Sequence, residues 1–165
     1  MSKSLAEHLA EVRRAIPVRA GLADARLTAA ISQEVDLSTY RPLEEQERAV
    51  VAAMLRQSGP KEQEFLPQLD GLLVQRGCTC GCPSLSFAPP PDGTRIDLYR
   101  QNIVADMTGE AADGLVGLLL WQAGGKLTGL EAYDLAGRPD ATKYYLPEPG
   151  TIASFRSTGQ EADYY

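Results

Sequence analysis

Residues Gly114 to Leu135 constrain the fold more than any other stretch of the chain. A short apolar run, Leu115 to Trp121, leads through Gln122-Ala123 to Gly124-Gly125, and a second, more alternating run follows. Two strand-like runs joined by Gly-Gly predict a β-hairpin, because glycine adopts the positive φ that tight hairpin turns demand. With Gly124 and Gly125 as the loop, Ala123 faces Lys126, Gln122 faces Leu127, and Trp121 faces Thr128. Side chains alternate across a strand, so this register defines two faces. One face carries Leu115, Gly117, Leu119, Trp121, Thr128, Leu130 and Ala132. The other carries Val116, Leu118, Leu120, Leu127, Gly129, Glu131 and Tyr133. The first strand is apolar on both faces, which predicts a central strand covered on both sides. A bulge at Gly129 would exchange the faces of the second strand.

The 165 residues suffice for one domain with a real core, since a chain of this size buries roughly 70% of its unfolded surface. The formal charge of −6 argues against nucleic acid and anionic membranes as partners, because both need a surplus of Lys and Arg. No secretory signal is recognisable near the start, where charged residues interrupt every apolar run. The longest apolar run is far too short to cross a bilayer. A cytoplasmic protein with reduced cysteines is the expectation.

Ser4 and Glu7 have capping-box spacing, and Leu5, Leu9, Val12 and Ile16 recur at helical intervals before Pro17. A second helix is expected from about Leu22 to Glu34. Residues 1–40 therefore read as a helical N-terminal extension. A further helix is expected after Pro42, with Leu43, Val50, Val51, Met54 and Leu55 as its inward stripe and Ser58-Gly59-Pro60 as its end. A short helical piece, Lys61 to Leu69, contains Pro67, which should distort it. Strands are expected at Leu72 to Arg76, Ser84 to Phe87, Thr94 to Arg100 and Ile103 to Met107, then a loop from Thr108 to Gly114. Residues 41–149 form the domain in this reading, and 150–165 a flexible tail. The fold class expected is α+β: N-terminal helices followed by a mostly antiparallel sheet of four to six strands.

Cys78, Cys80 and Cys82 stand at every second residue. On an extended strand their Cα atoms would lie roughly 7 Å apart, too far for an easy disulfide unless Gly81 and Pro83 bend the chain. A zinc site would need a fourth ligand, and the chain has one histidine, His8. The reading taken is no cofactor and small buried thiols, with zinc binding or thiol redox chemistry at Cys78, Cys80 and Cys82 as the alternative. Neither a phosphate-binding glycine loop nor an EF-hand is present. Asp106, Glu110 and Asp113 read as a solvated acidic loop.

On the hairpin, Glu131, Trp121 and Tyr133 are the candidate binding residues. In the simple register Glu131 lies among Val116, Leu118, Leu120, Leu127 and Tyr133. A carboxylate there must meet an arginine such as Arg95 or Arg100, lie at an uncovered edge, or be a buried acid beside a cleft.

Arg41-Pro42-Leu43 with its Glu-rich helix, the Gly-Cys-x-Cys-Gly-Cys-x-Ser stretch from Gly77 to Ser84, Leu115 to Leu120, and Leu130-Glu131 near Leu146-Pro147 together resemble one group. It is a set of small, uncharacterised bacterial proteins common in actinomycete-like genomes. The resemblance covers about Arg41 to Pro149 and carries no catalytic residues across. It implies that the cysteine motif and the hairpin share one domain. The function expected is a small binding or interaction protein that neutralises or regulates a protein partner, in the manner of an immunity protein. A thiolate metal or redox module and an enzyme with an unrecognised site are the alternatives, and the balance is against an enzyme. The N-terminal helices are expected to cover the second face of the sheet, or to do so in a homodimer.

Overall fold

The structure is a computed structural model, and it describes residues 36–91, 96–138 and 144–155. Among the described residues, seven strands form one antiparallel sheet. They are β1 (Arg41–Pro42), β2 (Leu73–Arg76), β3 (Leu85–Phe87), β4 (Asn102–Ala111), β5 (Gly114–Ala123), β6 (Lys126–Asp134) and β7 (Ala153–Ser154). Across the sheet the order is β1-β2-β3-β6-β5-β4-β7. The helix α1 (Glu45–Ser58) lies between β1 and β2, followed by a 3-10 helix, Glu62–Leu69.

This overturns the expected fold class. The sheet has seven strands rather than four to six, and its first strand precedes the helix. No N-terminal helix stands among the described residues. The two stretches expected to be helical before residue 35 lie outside them. The strands missed are the two-residue edge strands β1 and β7. Two residues show no alternation, and Pro42 reads as a helix starter although its missing N–H suits an edge strand equally well. Short edges, one of them carrying a proline, also limit pairing with other chains.

The Gly124-Gly125 turn joins β5 and β6 as expected, with φ of 57° and 77°. β5 is central, between β6 and β4. β4 is longer than its pattern suggested, because Thr108 to Ala111 continue the strand instead of forming a loop. The expected strand from Thr94 to Arg100 is absent over its described part, where Leu98–Arg100 is a 3-10 turn capped by the Asp97 carboxylate. Pro67 lies inside the second helical piece, which is 3-10 rather than α.

α1 covers one face of the sheet. Val50, Val51, Met54 and Leu55 are fully buried, as their spacing requires, and pack with Val74, Leu85, Phe87, Met107, Val116, Leu118, Leu120 and Leu130. Glu47 accepts two hydrogen bonds from Arg41 of β1, at 2.8 and 2.6 Å, and a third from the Glu44 amide at 2.8 Å. One buried carboxylate thus ties the edge strand to the first turn of the helix. Beyond β6, Pro147 is buried against Gly109, and the Thr151 hydroxyl accepts from the Glu110 amide at 2.8 Å. These contacts bring the segment leading to β7 onto the sheet. None of the described helices is long and apolar enough to cross a membrane.

Candidate functional site

The register of β5 with β6 decides which side chains meet. Ala123 pairs with Lys126 and Gln122 with Leu127, as the turn dictates. Then the register shifts: Trp121 pairs with Gly129, Leu120 with Leu130, Leu119 with Glu131, and Gly117 with Tyr133. Thr128 is the extra residue of a β-bulge, and its hydroxyl is a buried polar atom with no hydrogen-bond partner among the described residues. From Gly129 onward each side chain therefore lies on the face opposite to that of the unbulged register. Leu130 and Ala132 turn into the core beneath α1, while Glu131 and Tyr133 turn outward.

The bulge thus corrects the expectation for Glu131. It is exposed and does not lie among Leu118 and Leu120. Its carboxylate accepts a hydrogen bond from Trp121 Nε1 at 3.3 Å. Arg100 pairs instead with Asp97, and Arg95 lies outside the described residues. The reading of Glu131 as a buried acid beside a cleft is dropped. A concavity lined by Arg48, Arg56, Leu66 and Asp70 contains none of the candidate residues.

The same shift brings Glu131, Trp121 and Tyr133, which the simple register divides between two faces, onto a single face. Tyr133 lies across Gly117, where an added Cβ would come within 2.1 Å of the ring. The absence of a side chain at Gly117 is thus what lets the aromatic ring lie flat on the sheet. Burial pushes the Tyr133 phenol above its ordinary value, and the nearby Asp106 and Glu131 carboxylates push it the same way. Asp106 and Glu131 both stand opposite Leu119, one on each neighbouring strand. Asp106 is exposed on β4, and its expected place in a solvated loop is not observed. Ile103, opposite Trp121, is 50% exposed. Neither Asp106 nor Glu131 forms an ion pair with a described residue. The outer face is therefore an aromatic and aliphatic surface bearing two exposed carboxylates.

The second candidate site is the loop between β2 and β3. It is closed by the Gly77 amide donating to Ser84 O at 2.8 Å, and it bends at Gly81, whose φ is 98°. The cysteines are therefore not on an extended strand. Cys78 and Cys80 approach to a Cα separation of 5.5 Å and form a disulfide. Cys82 is a free thiol whose Sγ lies 3.0 Å from Cys78 Sγ. All three sulfurs lie within 4.8 Å of one another, close enough to bind one metal ion. His8 lies outside the described residues.

Sequence reasoning missed what holds Cys82. Its thiol donates to Ser84 Oγ at 3.2 Å. Ser84 Oγ accepts from the Ala132 amide at 3.0 Å and donates to the Ala132 carbonyl at 3.3 Å. Tyr144 Oη donates to the same carbonyl at 2.5 Å. Arg138, ion-paired with Asp134 and Asp113, lies 5.2 Å above the Tyr144 ring. These partners come from four separate segments, and only the Ser immediately after Cys-Pro was a local signal.

Comparison with known proteins finds no matching family model, no matching curated protein and no matching solved structure.

Proposed function

We propose that this chain is a small binding protein that neutralises or regulates a protein partner, and that the partner docks on the outer face of β4, β5 and β6. The occupant that fits is a protein segment combining Lys or Arg with apolar side chains. The observation that carries this reading is the Trp121–Glu131 pair on an exposed face beside Tyr133, Leu119 and Asp106. Aromatic anchors bury much area at small entropic cost, and exposed acids favour a basic partner through charge complementarity. The net charge of −6 acts in the same sense at longer range.

The test compares affinity purification with the wild type, a Glu131→Lys variant, and a Glu64→Lys variant on the 3-10 helix. The reading predicts a stoichiometric partner that the wild type and the Glu64 variant retain, that salt weakens, and that the Glu131 variant loses by roughly tenfold or more in affinity. Equal retention by all three would reject the outer face.

A second reading concerns the cysteines. Three sulfurs within 4.8 Å are a donor set for a thiophilic ion such as zinc, once Cys78 and Cys80 are reduced. A fourth donor would come from water or a partner. Elemental analysis of protein purified under reducing conditions tests it: about one zinc per chain supports the site, and chelation should then lower stability.

A further inference from the structure

We propose that Cys80, Cys78 and Cys82 form a graded thiol–disulfide relay that reacts with external disulfides, a chemistry independent of the outer sheet face. The three sulfurs differ in exposure and anchorage. Cys80 is exposed, Cys78 is half-buried, and Cys82 is half-buried, packed against the core and fixed by Ser84 to β6. Cys78 stands in the middle, bonded to Cys80 and 3.0 Å from Cys82. An exposed thiol that meets substrate and a shielded thiol that resolves the product is the division of labour thiol exchange requires.

The steps balance as follows. In the reduced chain the Cys80 thiolate attacks an external disulfide, forming a mixed disulfide and releasing one external thiolate. The Cys78 thiolate then attacks Cys80 Sγ, forming the Cys78–Cys80 bond and releasing the second. Two cysteine thiols are oxidised, the external disulfide is reduced to two thiols, and the two cysteine protons pass through solvent to the leaving thiolates. Next, the Cys82 thiolate attacks Cys78 Sγ. The Cys78–Cys82 bond forms, the Cys78–Cys80 bond breaks, and Cys80 leaves as a thiolate at the surface. This last step is an isomerisation and consumes no oxidant.

Ser84 is the positioning residue for it. The Ala132 carbonyl already accepts from Tyr144, so the Ser84 hydroxyl can turn from that carbonyl toward the Cys82 sulfur without leaving a buried acceptor unsatisfied. The contact holds the Cys82 sulfur facing Cys78 Sγ, so its loss should slow the isomerisation.

The experiment oxidises the reduced full-length chain with oxidised glutathione, quenches it with an alkylating reagent, and locates the label by fragment mass spectrometry. The relay predicts one label per oxidised chain, divided between Cys80 and Cys82 and absent from Cys78. It also predicts that Ser84→Ala shifts the label toward Cys82. Cys80→Ser should slow the reaction with oxidised glutathione by about tenfold or more, while Cys82→Ser leaves the first step unchanged. Label at Cys82 alone in the wild type would remove the isomerisation, and label at Cys78 would remove its central place. Unreactive thiols in a chain that retains zinc would overturn the relay in favour of a metal site, and unreactive thiols without metal would overturn it outright.

Discussion

Gly117 and Tyr133 show how one residue without a side chain organises the outer face. Tyr133 Cζ, Cε2 and Oη would lie 2.1 to 2.6 Å from a Cβ at Gly117. Gly117→Ala should therefore force the ring off the sheet and destabilise the protein by about 2 kcal/mol. Denaturant unfolding checks this, and Gly117→Ala paired with Tyr133→Ala should recover part of the loss because the clash is gone. Continued without a bulge, the register that starts from Gly124-Gly125 would instead set Gly117 opposite Ala132. One inserted residue, Thr128, separates the two accounts. Nothing in the Leu-Thr-Gly-Leu pattern fixes whether Thr128 is paired or bulged. The turn chemistry is local and legible, whereas a bulge is chosen by which alternative buries Leu130 and exposes Glu131 beneath a particular helix. That requires the tertiary structure.

At the scale of elements, α1 was legible almost residue for residue, because a buried stripe at helical spacing has one physical reading. Its start was not. Glu44 and Glu45 follow Leu43 without a Ser or Thr cap, and the helix begins at Glu45, where Glu47 receives the Glu44 amide and the Arg41 guanidinium. Burial pushes the Glu47 carboxyl up, but the Arg41 and Glu44 hydrogen bonds outweigh it and leave the group below its ordinary value. A depressed carboxylate contributes stability that is complete above its ordinary value of 4.5 and is lost as pH falls through the lower folded value. Glu47→Gln should cost about 1–2 kcal/mol at neutral pH and flatten the acid limb of the stability profile. Thermal unfolding from neutral to acid pH measures both. An acid limb unchanged by the substitution would mean that Arg41 and Glu47 do not tie β1 to α1. The Cys loop was legible as the unusual stretch, and Gly81 as its bend. The Ser84 anchor was not, since it depends on the approach of β6 and the segment at Tyr144.

On the scale of the whole molecule, the two faces of the sheet do different things. The inner face is closed by α1 and by the returning segment that carries Tyr144, Leu146 and Ile152. Tyr144 also sets an alkaline limit. Burial, then the neighbouring Cys82, pushes its phenol up to about 12. A raised phenol contributes stability that is present below its ordinary value of 10.0 and is lost as pH rises through the folded value. Stability should therefore fall by roughly 2–3 kcal/mol between pH 10 and 12, and Tyr144→Phe should remove much of that slope. An alkaline limb of the same slope in the variant would mean that another group controls it. The outer face instead presents Trp121, Tyr133, Glu131 and Asp106, and its use as a docking surface is the central claim. Trp121 is the sole tryptophan, so its fluorescence reports on this face alone. The most direct measurement titrates the purified partner into the chain while Trp121 emission is followed. The account predicts a saturable blue shift that the Glu131→Lys chain does not show at the same concentrations. A partner that binds tightly while Trp121 emission stays unchanged would contradict it.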